Sequence, residues 1–276
     1  MKLSARHILT AAALLALSTG ASAHRAWLLP SATTISGIEG WVTVDAAISN
    51  DLFNPDHFPM NTKGIEVMQP DGSKGEIQNA ATGRYRSVFD VKIDKPGTWK
   101  IWTASNTVRG SFKLNGQNWM VGRRGGNNPN SVASADEIPA AATDVKLTEV
   151  SSRNEIFVTS GAPTTRVFAT TGKGLELSPI THPDDLVADE PARFRFLLDG
   201  KPAANVKVAV VPGNKQFRDA EHAQELTTDA DGVIEVRWPV PGLYWLNANA
   251  SNDQPADKDA SARHSSYSMT VAVPAP

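Results

Sequence analysis

Ser87-Val88-Phe89-Asp90-Val91-Lys92-Ile93, turning at Pro96-Gly97 into Thr98-Trp99-Lys100-Ile101, is the stretch whose reading decides the fold. Phe89, Val91 and Ile93 alternate with Asp90 and Lys92, so one face of a strand meets a core and the other meets water. A Pro-Gly turn then sends the chain back as a second strand carrying Trp99 and Ile101. The same order returns late in the chain, as Val233-Ile234-Glu235-Val236 followed by Val240-Pro241-Gly242-Leu243-Tyr244-Trp245-Leu246.

Residues 40–45 and 206–211 alternate in the same way, and Pro70-Asp71-Gly72, Asn115-Gly116, Asp199-Gly200 and Asp231-Gly232 supply turns between runs. Helical periodicity is scarce after residue 24. Many short strands with frequent turns predict an all-β chain. Two Pro-Gly hairpins predict two immunoglobulin-like antiparallel β-sandwich domains in tandem. The expected divisions are residues 1–23, a signal peptide; 24–121, an N-terminal sandwich; 122–174, a loop-rich linker with connecting strands; and 175–276, a C-terminal immunoglobulin-like domain. Within the linker, residues 122–142 are rich in Gly, Asn, Ser and Ala and read as an exposed loop, with Arg123-Arg124 solvated.

The start of the chain carries an address. Lys2 and Arg6 precede an apolar run from Ile8 to Leu17, and Ala21-Ser22-Ala23 offers the small residues that a signal peptidase reads. That run is shorter than the roughly 20 residues a bilayer span needs. The expectation is a periplasmic protein, secreted through a cleaved signal peptide, with no membrane span in the mature chain. Removing 23 of 276 residues leaves 253, which suits two domains. Loss of Lys2 and Arg6 takes the formal charge from −2 to −4. A mildly acidic chain without a basic run is a poor partner for nucleic acid. Cys is absent, which excludes disulfides, thiolate metal sites and cysteine nucleophiles.

Cleavage after Ala23 would give His24 a free α-amine beside its ring Nδ1, a chelating pair. A ring nitrogen from a second His would complete a three-nitrogen histidine brace, and nitrogen-rich, roughly planar sites favour Cu(II). The plainer reading is a strand that happens to begin with His. His57, in Asn54-Pro55-Asp56-His57-Phe58-Pro59-Met60, is the first choice of partner; Asp56 and Met60 are weaker candidate ligands. His264, before the last strand, is the second choice. His182, ahead of Pro183-Asp184-Asp185, reads as an inter-domain turn or a hard-metal site, and His222 as a surface residue. No nucleophile elbow, phosphate loop or dinucleotide fingerprint is present, so no catalytic residue is assigned.

His24-Arg25-Ala26-Trp27-Leu28-Leu29-Pro30 resembles the His-x-x-Trp-Leu-x-Pro opening of the NikM-like, uncharacterised-domain family of periplasmic proteins. His57-Phe58-Pro59, Gly200-Lys201-Pro202-Ala203, Thr228-Asp229-Ala230-Asp231-Gly232 and Ser266-Tyr267-Ser268-Met269-Thr270 are similar to further motifs of that family, in order along the chain. The resemblance implies a role in transition-metal uptake, with copper, nickel or cobalt as cargo and an envelope transporter or outer-membrane receptor as partner. Asn247 and Asn249 stand where relatives often carry a histidine, which implies a different or poorer site. The leading expectation is a non-enzymatic metal-binding or delivery protein using His24, His57 and His264. The alternatives are a docking module without a metal site and, last, a copper monooxygenase.

Overall fold

The computed structural model describes residues 24–37, 39–122 and 129–276. The expected signal peptide, its expected cleavage site and Arg123-Arg124 lie outside the described residues. In chain order the strands are β1 (Arg25–Pro30), β2 (Thr34–Ile35), β3 (Gly40–Ser49), β4 (Phe58–Pro59), β5 (Ile65–Met68), β6 (Lys74–Gly75) and β7 (Gln78–Thr82). There follow β8 (Ser87–Ile93), β9 (Gly97–Leu114), β10 (Gln117–Val121), β11 (Ser131–Val132), β12 (Thr143–Ser160), β13 (Leu175–Pro179) and β14 (Pro191–Leu198). The last are β15 (Lys201–Pro202), β16 (Lys207–Pro212), β17 (Gln224–Thr227), β18 (Val233–Arg237), β19 (Gly242–Asn252) and β20 (Ala262–Val273). Among the described residues helix is confined to single 3₁₀ turns, and no helix is long and apolar enough to cross a membrane.

The all-β, antiparallel sandwich fold expected from the alternation is the fold observed. β1, β3, β8 and β7 form one outer sheet, with β4 beside β3; β13, β14 and β15, with β18 on β14, form the other. A sheet of eleven strands lies between them, in the main order β11-β10-β9-β12-β20-β19-β16-β17. Its principal exception to antiparallel pairing is the long parallel contact of β12 with β20.

Burial shows how the layers stack. Ile156 and Val158 of β12 join Leu28, Val44, Phe89 and Trp99 in one core. Phe157, between them, joins Phe194, Trp238, Tyr244 and Met269 in the other. Successive strand side chains point to opposite faces, so the first outer sheet covers one face of the central sheet and the second covers the other. The two sandwiches share a layer.

The Pro-Gly segments do not make hairpins. β8 pairs with β3 and β7, whereas β9 pairs with β10, β12 and β5. Pro96-Gly97 therefore carries the chain from the first outer sheet into the central one. Pro241-Gly242 does the same between β18, which pairs with β14, and β19, which pairs with β16 and β20. Gly97 has φ 113° and Gly242 φ 152°, values that swing the chain out of its sheet plane and that L side chains rarely adopt. A side chain at Gly97 would also press on Pro70 and Thr164 at 2.8–2.9 Å. Each turn is an arch between layers, and each arch closes one core.

Candidate metal centre

Trp27 anchors the first strand. It is buried, its Nε1 donates to Ser49 Oγ at 2.7 Å, and its ring packs edge-on against Phe53. With Ala47, Leu52, Val211 and Trp245 it forms a small core that ties β1 and β3 to the central sheet. Trp245 Nε1 donates back to the Ala26 carbonyl at 3.3 Å. The Arg25 guanidinium lies over the Trp245 ring at 5.6 Å and pairs with both oxygens of Glu221. That pairing holds the Glu221 carboxyl below its ordinary value. Arg218 in turn donates to the carbonyls of Pro212 and Glu221 at 2.9 and 3.3 Å, fixing the loop that presents Glu221. The first described residues are thus held from several directions, and His24 stands exposed at their head.

His57 reaches the same place by a closed loop. Asp56 accepts from the Asn50 backbone N–H at 2.9 Å and from Asn50 Nδ2 at 3.1 Å, which lowers its pKa and folds residues 50–56 back on themselves. Phe58 and Pro59 then pair with Ile48 and Ala47, while Arg25 pairs with Ser49 on the other side of β3. The register returns His57 to the level of the chain start. The His24 and His57 rings stack with centroids 3.6 Å apart and planes 15° from parallel. Phe58 lies against His57 at 4.0 Å.

His24 opens on a cleft of about 770 Å³, which Met60 and His264 also line. Met60 packs mainly into the first core and its backbone is held by Ala46 and Ser87. His264 shares a hydrogen bond of 3.0 Å between Nδ1 and Ser251 Oγ. It stands six residues along β20 from Thr270, the residue that pairs with Trp245, a distance of roughly 20 Å in an extended strand. Asp56 is committed to Asn50. Asn247 donates to the Tyr267 carbonyl at 3.1 Å, and Asn249 donates to Asn247 Oδ1 at 2.5 Å. Among the described residues no three His, Asp or Glu side chains converge on one point. A brace draws three nitrogens from two residues, because one is a backbone amine, so His24 and His57 satisfy its composition. Parallel rings aim their in-plane lone pairs side by side; one ring must turn for both to face one ion, and His24 is exposed enough to turn.

Elsewhere the structure brings together groups that the sequence kept apart. Glu155 meets Lys100 at 3.8 Å, Arg153 at 3.3 Å and the Tyr267 hydroxyl at 2.9 Å, and Arg153 meets Glu176 at 3.4 Å, all beneath the second outer sheet. Burial, with the Glu155 charge added, pushes the Tyr267 hydroxyl well up. His182 and Asp184 hold no metal arrangement. The Asp184 N–H donates to His182 Nδ1 at 3.0 Å, so Nε2 carries the proton and faces Thr98 Oγ1 at 3.0 Å. Thr98 meets Thr159 Oγ1 at 3.0 Å, and Thr159 donates to Asp184 Oδ2 at 2.6 Å. Burial raises the Asp184 carboxyl to about 7 and lowers the His182 imidazole.

Residues 21–252 match the sequence family described as "Domain of unknown function (DUF4198)". No curated protein matches the chain. Among solved structures, the "D0-D1 domain of Intimin" is 11% identical, covers 89% of this chain and 97% of its own, and has a TM-score of 0.21. The "Human OSCAR ligand-binding domain" is 10% identical over 91% of this chain and 100% of its own, also with a TM-score of 0.21.

Proposed function

The chain belongs to the DUF4198 family, and we propose that it is a periplasmic transition-metal-binding or delivery protein whose site is built on the chain start released by cleavage after Ala23. The observation that carries this reading is the stacking of His24 on His57 at 3.6 Å. His24 would hold the ion through its α-amine and ring Nδ1, and His57 through one ring nitrogen. Three nitrogen donors without thiolate suit Cu(II) first and Ni(II) or Co(II) after it. The amine binds once it loses its proton, which costs little near neutral pH because α-amines titrate near 7.7–8.0. The NikM-like resemblance of His24–Pro30 and His57–Pro59 adds an accessory role in metal or metal-chelate uptake, with an envelope transporter or receptor as partner.

The test is mass spectrometry of the exported protein for its first residue, then calorimetric titration with Cu(II), Ni(II) and Co(II). Equal, weak binding of all three by the wild type and by His24→Ala sinks the reading. The docking alternative has its own handle: Phe58 and Phe217 are 56% and 80% exposed. A periplasmic partner retained after chelator treatment and after His24→Ala, but lost on Phe217→Ser, would favour it.

A further inference from the structure

The face of the central sheet that bears the first outer sheet changes character in one step. Ile101, Ile156, Thr270 and Trp245 lie on one cross-strand row and are buried, Thr270 being the one polar member. Two residues along each strand, the next row reads Thr103, Asn154, Ser268 and Asn247, each paired with its neighbour in register. The row after that reads Ser105, Ser152, Ser266 and Asn249. Seven of these eight side chains line the His24 cleft, whose volume is about 770 Å³. Strands stand about 4.8 Å apart and same-face residues about 6.7 Å apart along a strand, so the rows form a regular grid of hydroxyls and amides. Asn154, at the inner end of the cleft, is 5% exposed, and neither its Oδ1 nor its Nδ2 meets a hydrogen-bond partner among the described residues. Buried amides are normally satisfied, and leaving one bare costs stability.

We infer that this terrace is a binding site for a neutral polyhydroxylated ligand, a short saccharide. The grid itself carries no charge, and the charged residues that also line the cleft are already engaged: Arg25 pairs with Glu221, Arg153 with Glu155 and Glu176, and Lys215 donates to the Arg218 carbonyl. Each amide and hydroxyl both donates and accepts, which matches a ligand whose every group is a hydroxyl or an acetamide. A volume of about 770 Å³ falls within the range of small-molecule sites. The buried Trp245 ring beside the grid gives one apolar margin. An extended peptide is the poorer fit, because the terrace is a sheet face with its backbone already paired, and it has no apolar pockets for alternate side chains. The inference does not depend on the metal reading.

The test is NMR titration of chelator-treated, ¹⁵N-labelled protein with triacetylchitotriose and maltotriose, following the side-chain amides of Asn154, Asn247 and Asn249. Saturable shifts at these amides are expected with at least one saccharide. Asn154→Leu is expected to weaken binding about tenfold or more, Ser266→Val on the more exposed row is expected to weaken it as well, and Lys92→Ala, on the solvent face of β8, is expected to leave it intact. Absence of saturable shifts with both saccharides overturns the inference. So does binding that survives both terrace variants, or a saturable response to tetra-alanine in place of the sugars. Failure of metal binding leaves these outcomes unchanged.

Discussion

Asp184→Asn should stabilise the protein above neutral pH and do little in acid. The Asp184 carboxyl rises from 3.8 to about 7 because burial penalises its charge; the 2.6 Å hydrogen bond from Thr159 offsets only part of that. In the folded state the group therefore keeps its proton across a range in which the unfolded chain has lost it. The folded state binds more protons there, so the contribution of this group to stability is fully present below pH 3.8 and is lost as pH rises to about 7. At 1.36 kcal/mol per decade the whole loss is about 4 kcal/mol, and relaxation around a group at the protein's margin brings the expected figure to about 2–4 kcal/mol. Asn keeps an oxygen for Thr159 and brings no charge, so it removes this loss. The assay is thermal unfolding by circular dichroism at pH 4 and pH 8, with Asp185→Asn, an exposed neighbour, as control. The variant's Tm should exceed the wild type's at pH 8 by roughly 4–12 °C for a chain of this size, with a difference near zero at pH 4. An equal difference at the two pH values, or a loss at pH 8, would refute the reasoning.

Three further outcomes follow from particular contacts. Trp27→Ala removes the anchor of β1 and should cost about 3–5 kcal/mol in denaturant unfolding, with faster hydrogen exchange across residues 25–30. Gly232→Ala places a Cβ 2.4 Å from the Phe196 carbonyl at φ 73°, so it should destabilise by more than about 1 kcal/mol. Glu221→Ala unpairs Arg25, but both side chains reach water. It should therefore cost no more than about 1 kcal/mol, a loss that shrinks in high salt.

The fold was largely legible because most strands bury one face. Phe89, Val91 and Ile93 alternate cleanly, and so do Val208 and Val210 with Lys207 and Ala209. β12 escaped a clear reading for the opposite reason. Its second half is covered by different sheets on its two faces, so Ile156-Phe157-Val158 is an unbroken apolar run, while its first half is polar. The Pro-Gly turns were visible as turns, but their direction was not, because an arch and a hairpin share the same residues and differ in φ and in pairing. Of the site, His24 and His57 could be singled out by chemistry; their meeting required the β1–β3–β4 register. His264 carried the same ligand chemistry and lines the same cleft, yet its Nδ1 is taken up by Ser251. The terrace was invisible in the sequence because β9, β12, β19 and β20 each contribute only two of its side chains, from positions scattered between 103 and 268.

The most direct test of the central claim compares Cu(II) titration of the form that begins at His24 with that of the same form acetylated on its α-amine. Acetylation leaves both rings in place and removes the amine donor from the chelate. One-to-one binding is expected for the free-amine form, with an affinity lower by about a hundredfold, or about 2.7 kcal/mol, in the acetylated form. Equal affinities would contradict it.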